Sequence, residues 1–264
     1  MKKKLVKIYW IINEFGFDVV RFLKAINMFP NYLIDLFEFR KQCSAKLTYK
    51  PCLHDSYQEG GSAKGEYFWM DLTVARWIYD AAPEKHVDIG SRIDGFVAHV
   101  ASFRQIEVFD VRPITASIPG ITFNQADLMD ENSIKPFVSE GGYCDSISCL
   151  HALEHFGLGR YGDPVNAEGY AVGLRNMATL LKPQGLLYLA TPMGREKVEF
   201  NANWIFKPKN ILNVARKNGM QLQSMHVFDV QKGLVNCLPN EWERKIDFLS
   251  HDTYNLVVMQ FRKD

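Results

Sequence analysis

The sequence lacks a dominant charge of either sign. It has 31 basic and 30 acidic side chains in 264 residues, a formal net charge of +1. A protein that binds nucleic acid through its phosphates needs a clearly basic surface. The composition therefore gives no reason to expect a nucleic-acid partner.

The cysteines also lack the spacing of a metal site or a disulfide framework. There are five, with no CxxC pair, at positions Cys43, Cys52, Cys144, Cys149 and Cys237. Cys144 and Cys149 fall in an apolar, strand-like segment, where free thiols usually fill space. An odd number without paired spacing favours a reducing, intracellular compartment, and we predict a cytoplasmic protein.

A long apolar run is missing as well. The first residues resemble a signal peptide because of Lys2, Lys3 and Lys4, but Glu14 and Asp18 interrupt the apolar stretch too early. This excludes a signal core and a transmembrane span by length.

The same stretch has helical periodicity. Apolar residues recur every three or four positions, at Ile8, Ile11, Ile12, Phe15, Val19, Phe22, Leu23 and Ile26. This predicts an amphipathic helix that either packs on the protein's own core or docks on a membrane surface or a partner enzyme. Pro30 and Asn31 predict a break before a second helix at about residues 32–42.

From residue 66 onward the sequence changes character. Residues 1–65 are predicted as a helical segment with a linker, and residues 66–264 as the main domain. Short apolar segments alternate there with helical ones, the strands being 86–90, 106–110, 121–127, 144–150 and 185–192. This predicts an α/β fold with a doubly wound, mostly parallel sheet of seven strands. No helical pattern is evident between the last two, at 221–230 and 254–263, so we predict an antiparallel C-terminal hairpin.

Three acidic residues stand at the ends of successive predicted strands. They are Asp88, Asp110 and Asp127, and Asp110 follows Asp88 by 22 residues. Ligands of such sheets bind beyond the carboxyl ends of the strands, and an acid about 20 residues after the first turn typically binds a ribose. A single acid could be only a turn former or a helix cap, as is plausible for Asp94 and Asp130.

At this point the order of motifs resembles a known superfamily. From about residue 67 to the end, the chain is similar to class I S-adenosylmethionine-dependent methyltransferases. More narrowly, HVDIGSRIDGFVAHVASFRQIEVFD (86–110) and CLHALEHFGLGRYGDP (149–164) resemble domain of unknown function 268, a methyltransferase-like family. The resemblance implies a Rossmann-like fold and S-adenosylmethionine as cofactor.

The resemblance also implies roles for individual residues. The turn after the first strand would cradle the methionine part of the cofactor, Asp110 would accept from the ribose hydroxyls, and Asp127 would accept from the adenine amino group. The full implied set is Asp88, Gly90, Ser91, Arg92, Asp110, Asp127, Leu128, Cys149 and Leu150.

The chain departs from the superfamily's D-x-G-x-G-x-G turn. Arg92 and Asp94 stand where later glycines are usual, and Gly95 comes one position late. The connection at 111–120 is also too short for the usual helix. Side chains in the turn could crowd a cofactor. A catalytically inactive Rossmann-like binding or scaffold protein therefore stays open as the alternative.

The segment His151-x-x-Glu154-His155 allows three interpretations. On a helix it is the inverted zinc-protease signature, which would make the chain a zinc-dependent hydrolase. It follows a predicted strand, however, so we predict no metal, and either a packing role or general-base catalysis. His151 and His155 are the candidate bases and Glu154 could orient one of them. We favour His155 because it adjoins the following loop.

The glycine-rich loop and a later polar segment predict the acceptor wall. Their polar and aromatic side chains suit sugar hydroxyls and ring faces, although Tyr161 and Trp204 could equally be packing residues. The predicted substrate-binding set is Arg160, Tyr161, Asp163, Arg195, Asn201, Asn203 and Trp204. The chain is thus predicted to methylate a hydroxyl of a sugar or surface-polysaccharide precursor, with a small-molecule or glycan acceptor as its partner.

Overall fold

The structure is a computed structural model that describes Tyr9 and residues 12–57, 60–61 and 63–264. The chain divides into two compact units, Met1–Ser62 and Ala63–Asp264. The lysines at 2–4, and Ile8 and Ile11 of the predicted first helix, lie outside the described residues. Within the described part, no helix is both long and apolar enough to cross a membrane.

Among its described residues, the first unit has one long helix, α1 (Val19–Gln42). Asp18 caps its start by accepting a hydrogen bond from the backbone N–H of Arg21 at 2.9 Å, which satisfies a donor that has no partner inside the helix. The predicted break at Pro30 is wrong, because Pro30 lies inside α1. A proline removes one backbone donor but leaves the rest of the helix ladder in place. The chain instead breaks earlier, where Gly16 has a φ of +85°.

The second unit is built on a twisted eight-stranded sheet. Its parallel half comprises β1 (His86–Ile89), β2 (Ile106–Asp110), β3 (Ile121–Gln125), β4 (Cys144–Leu150) and β5 (Leu181–Met193). Its antiparallel half comprises β8 (Met220–Asp229), β9 (Gly233–Cys237) and β10 (Asn255–Lys263). The spatial order is β3-β2-β1-β4-β5-β10-β8-β9, and β6 (Lys197–Glu199) pairs with β7 (Asn203–Ile205) in a separate two-stranded sheet.

Helices cover both faces of the large sheet. They are α2 (Glu66–Ala81), α3 (Ala98–Ala101), α4 (Glu131–Ile134), α5 (Gly169–Leu180), α6 (Pro208–Lys217) and α7 (Trp242–His251). Successive strand residues point to opposite faces, so Leu187 packs in one core and Tyr188 in the other. The doubly wound, mostly parallel fold is confirmed.

Two details of the prediction differ from the structure. The sheet has eight strands rather than seven, because Gly233–Cys237 forms an additional strand that pairs with β8. A helix, α7, does separate β8 from β10, although these two strands are antiparallel neighbours as predicted. In α7 only Leu249 and Ser250 are buried. Trp242, Ile246 and Leu249 nevertheless recur at helical spacing, and Trp242 and Ile246 pack against the core, so the sequence does indicate this helix and the prediction missed it.

All five cysteines are free, and Cys144, Cys149 and Cys237 are buried. Burial raises the pKa of the Cys144 thiol to about 12. These thiols are therefore protonated, unreactive packing groups, as expected for Cys144 and Cys149.

Candidate functional site

A cavity of about 700 Å³ lies at the carboxyl ends of β1, β2, β3 and β4. The strand order reverses between β1 and β4, which is where open α/β sheets bind ligands. The predicted site residues that line it are Gly90, Ser91, Arg92, Asp110, Asp127, Leu128, Leu150, His151, Glu154, His155, Arg160, Tyr161, Asp163 and Asn203. Those that do not are Asp88, Cys149, Arg195, Asn201 and Trp204.

Asp88 lies beneath the first turn rather than in the cavity. Its carboxylate accepts from the N–H and the hydroxyl of Ser91 at 3.0 and 2.7 Å, and from the hydroxyl of Ser148 at 2.5 Å. Burial raises the pKa of Asp88 to about 7, although these three donors oppose the shift. Asp88 therefore shapes the turn that a ligand would meet, because its own oxygens are already used.

Gly90 is the residue in this turn whose lack of a side chain matters. Its φ is +69°, and a Cβ atom there would lie 3.1 Å from the Cβ of Ala152. Both the left-handed conformation and the close approach of the loop after β4 favour glycine.

The side chains at the unusual turn positions bind each other. Arg92 donates to both carboxylate oxygens of Asp94, at 3.1 and 2.7 Å. Their side chains are 63% and 73% exposed. They therefore stand at the rim of the cavity and do not fill the turn.

Asp110 ends β2 and faces the cavity, but its carboxylate already has donors. The guanidinium of Arg112 binds both oxygens, with Nε–Oδ1 at 2.9 Å and Nη2–Oδ2 at 2.5 Å, and the backbone N–H of Arg112 adds a bond of 2.8 Å. The same guanidinium lies 4.5 Å from the centre of the Tyr161 ring. The sequence analysis did not select Arg112. An aspartate and an arginine two residues apart at a strand end are nevertheless visible in the sequence, and such a pair can bind bidentately.

Asp127 follows β3 and also faces the cavity. One oxygen accepts from the backbone N–H of Met129 at 2.8 Å. Burial raises the pKa of Asp127. The neighbouring Leu128 is buried and lines the same wall. The pair thus offers a carboxylate and an apolar surface side by side.

His151 stands where β4 ends and is held from two sides. Its Nδ1 is 2.7 Å from Oε1 of Glu154, and its ring stacks on Tyr67 with centroids 4.5 Å apart. The other oxygen of Glu154 accepts from the hydroxyl of Thr191 at 3.3 Å. Burial favours the neutral imidazole, but the hydrogen bond and the charge of Glu154 outweigh it and raise the pKa of His151.

The second nitrogen of His151 has no hydrogen-bond partner, although Oε1 of Glu66 lies 3.5 Å away. Nε2 is buried without a hydrogen bond, and the side chain is 5% exposed. Because His151 lines the cavity, a ligand there is the natural partner for this nitrogen.

His155 has a different environment. Its Nδ1 is 2.7 Å from the carbonyl oxygen of Ala202, and its ring meets Tyr161 edge-on. Burial lowers the pKa of His155. Sequence reasoning favours His155 as the base, whereas the structure gives the orienting carboxylate of Glu154 to His151.

The zinc interpretation needs both histidines on one α-helix. The segment instead leaves β4 and forms a single 3₁₀ turn, Leu153–His155. Among the residues that the structure describes, no three histidine, cysteine or acidic side chains are arranged to hold a metal ion. The spacing of the two histidines therefore does not bring them together on one face of an α-helix, as the zinc signature requires.

Asp163 organises the loop after the motif. Its carboxylate accepts from the backbone N–H groups of Gly157, Gly159 and Tyr161 at 3.1, 3.2 and 3.1 Å. Arg160, on the same loop, donates to the carbonyl oxygen of Ala202 at 3.0 Å. Asp163 therefore holds the loop, and because it also lines the cavity its contact with substrate stays a prediction.

Three predicted acceptor residues lie elsewhere. Arg195 is exposed and donates to the backbone of His251 at 3.4 Å, and Asn201 is exposed. Trp204 stacks on Phe206 with ring centroids 5.8 Å apart, as a packing residue would. The polar and aromatic composition of this segment did not distinguish cavity residues from those of the two-stranded sheet.

Glu66 and Tyr254 line the cavity although sequence reasoning did not select them. The hydroxyl of Tyr254 donates to Oε1 of Glu66 at 2.6 Å, and the same oxygen lies 3.5 Å from Nε2 of His151. Glu66 opens α2 and Tyr254 precedes β10, so no local pattern connects them with the motif.

The chain is similar to several solved structures, including two methyltransferases. The 1,6-didemethyltoxoflavin-N1-methyltransferase of Burkholderia thailandensis, solved with S-adenosylhomocysteine, has a TM-score of 0.50 and 11% identity. The match covers 74% of this chain and 78% of that one. A TehB-like SAM-dependent methyltransferase of Corynebacterium glutamicum has a TM-score of 0.48 and 18% identity, covering 80% and 92% of the two chains.

Sequence comparison gives one further finding. No curated protein sequence matches the chain significantly. Residues 127–215 match the family described as "Caenorhabditis protein of unknown function, DUF268". That segment includes the motif at 151–155 and the loop after it, but not the turn after β1. Residues 127–215 are therefore similar to the DUF268 family, and the domain has a Rossmann-like fold similar to that of the Burkholderia methyltransferase.

Proposed function

We propose that this protein is an S-adenosylmethionine-dependent methyltransferase that methylates a hydroxyl of a sugar or surface-polysaccharide precursor. The observation that carries the proposal is the buried, unpartnered Nε2 of His151. His151 lines the cavity at the strand ends, and Glu154 orients its ring through Nδ1.

The cavity residues fit the proposed cofactor. Gly90 leaves the turn after β1 open to close approach, Asp110 can accept from ribose hydroxyls, and Asp127 can accept from an amino group. The similar Burkholderia structure contains S-adenosylhomocysteine, the demethylated product. Arg112 is the one group that a ribose would have to displace or share, because it already binds Asp110.

When bound, the cofactor supplies an activated methyl group on a cationic sulfur. The protein has to hold the acceptor in line and remove its proton. Glu154 fixes the ring of His151 and leaves Nε2 as the proton acceptor, with Tyr67 stacked on the ring face. The raised pKa makes this imidazole a stronger base, and it acts only at pH values where it is unprotonated.

The alternative is a binding or scaffold protein without turnover. It rests on the occupied carboxylate of Asp110, since Arg92 and Asp94 bind each other at the rim and leave the turn open. The occupied carboxylate predicts weak or absent cofactor binding, so a binding measurement separates the two functions.

The test is isothermal titration calorimetry with S-adenosylhomocysteine, followed by transfer of a radiolabelled methyl group to free and nucleotide-linked sugars. We expect saturable one-to-one binding of S-adenosylhomocysteine. We also expect the radiolabel in a sugar fraction, where it should remain after treatment with mild base, because a methyl ether resists such treatment. Absence of saturable binding would falsify the proposal. Binding without transfer to any acceptor fraction would favour the scaffold alternative.

A further inference from the structure

Two hydrogen-bond acceptor atoms lie next to each other at the end of the cavity where the methyl acceptor is proposed to bind. Nε2 of His151 and Oε1 of Glu66 lie 3.5 Å apart, and both residues line the cavity. The separation leaves Nε2 without a hydrogen bond. The direct contact therefore does not satisfy the imidazole, which is 5% exposed.

Glu66 is held in place by a different residue. The hydroxyl of Tyr254 donates to Oε1 of Glu66 at 2.6 Å. This bond uses one lone pair of the carboxylate, so at least two further acceptor sites remain for a ligand. The side chain is 23% exposed, which keeps it accessible from the cavity.

We propose that Glu66 is a specificity-determining residue that binds a second hydroxyl beside the one that His151 deprotonates, so that the acceptor is a vicinal diol. This inference rests on the proposed function. A single hydroxyl would satisfy only one of the two acceptors. Two hydroxyls on adjacent carbons donate one hydrogen bond to each.

The chemical step balances without another reagent. The acceptor oxygen forms a bond to the methyl carbon while the bond from that carbon to sulfur breaks, and the electron pair stays on sulfur as a neutral thioether. The proton of the hydroxyl passes to Nε2 of His151. The second hydroxyl keeps its proton and donates to Glu66 throughout, so Glu66 binds and positions the acceptor.

The experiment monitors His151 by nuclear magnetic resonance in the full chain with ¹³C-labelled histidine, assigned with His151→Gln. The two probes are cis-1,2-cyclohexanediol and cyclohexanol, each titrated with and without S-adenosylhomocysteine. We expect the diol to shift the His151 signal saturably and to bind about tenfold more tightly than cyclohexanol, because a hydrogen bond to a charged group is lost with the latter.

Glu66→Gln should remove this preference for the diol. The matched control is Glu131→Gln. The carboxylate of Glu131 binds Arg175 at a distance of 2.6 Å, and Glu131 does not line the cavity. This control variant should keep the preference, and a melting curve of each variant verifies the fold. Equal responses to both probes, no response to either, or a preference that survives Glu66→Gln would overturn the inference. Calorimetry with S-adenosylhomocysteine on the same samples separates this failure from that of the proposed function, which requires that ligand to bind.

Discussion

The polar groups at the two ends of the cavity differ in whether they already have hydrogen-bond partners within the chain. At the proposed cofactor end, the carboxylates accept from the chain's own donors: Asp110 from Arg112 and Asp127 from Met129. At the acceptor end, Nε2 of His151 is buried and has no hydrogen-bond partner. A ligand at the first end has to compete with existing contacts, whereas a ligand at the second end supplies a missing one.

Under the proposed function, this difference predicts which end of the cavity is more sensitive to substitution. Replacing an internal hydrogen bond by one to a ligand changes the free energy little, because one satisfied pair is exchanged for another. Giving a partner to a buried, unsatisfied nitrogen removes a desolvation penalty. The acceptor end should therefore respond more strongly to substitution than the cofactor end.

The largest expected effect comes from His151→Gln. Removal of a positioned general base should lower methyl transfer by about 10²–10⁴-fold. Binding of S-adenosylhomocysteine should stay nearly unchanged. The matched control is His155→Gln, which removes the other imidazole of the motif and a bond to Ala202. A larger loss in His155→Gln than in His151→Gln, measured as the initial rate of S-adenosylhomocysteine release, would move the base to His155.

Asp110→Asn should weaken S-adenosylhomocysteine binding by about two- to tenfold. The substitution removes the negative charge that accepts the ribose hydroxyls, and because the ribose replaces donors of Arg112, the net contribution is that of a typical hydrogen bond, about 0.5–1.5 kcal/mol. Asp130→Asn is the control, since Asp130 caps α4 outside the cavity and asparagine caps equally well. Unchanged affinity in Asp110→Asn, measured by calorimetry, would contradict the assignment of the ribose to β2.

The pH dependence tests the pairing of Glu154 with His151. Burial lowers the pKa of His151, but the hydrogen bond and the charge of Glu154 raise the pKa by more than burial lowers it. The net shift is therefore upward. The imidazole is therefore protonated, and inactive as a base, up to a pH above its usual value of about 6.5. Glu154→Gln removes the charge, so the titration midpoint of His151 should move to lower pH.

The same ¹³C-histidine signals measure this midpoint directly. Glu168→Gln, an exposed acid outside the cavity, is the control and should leave it in place. A midpoint that stays fixed or rises in Glu154→Gln would show that the charge of Glu154 does not act on His151.

The smallest expected effect is a gain of affinity. Arg112→Ala removes the guanidinium that competes with a ribose for Asp110, and a partly exposed ion pair contributes about 0.2–1 kcal/mol. S-adenosylhomocysteine should therefore bind about two- to fivefold more tightly. Arg195→Ala, an exposed arginine outside the cavity, should leave the affinity unchanged. Weaker binding in Arg112→Ala would indicate that Arg112 contacts the ligand itself.

Local patterns in the sequence were sufficient for most of the fold. Short apolar strands alternating with amphipathic helices predict a doubly wound sheet, because strands covered on both faces have that composition. The prediction failed at β9, where the signal is weak, and at Pro30, where the rest of the helix ladder outweighs the loss of one donor. It also missed α7, although Trp242, Ile246 and Leu249 have helical spacing.

The sequence by itself determined that acids and histidines follow the strands at one edge of the sheet, since that depends only on chain order and strand periodicity. Only the tertiary structure decided which of them meet. The approach of Glu66 to His151, 85 residues apart, and the turn of Asp88 beneath the sheet edge depend on side-chain direction and on packing between distant elements. No local pattern encodes such contacts, because they form only when α2 and the loop before β10 close over the end of β4.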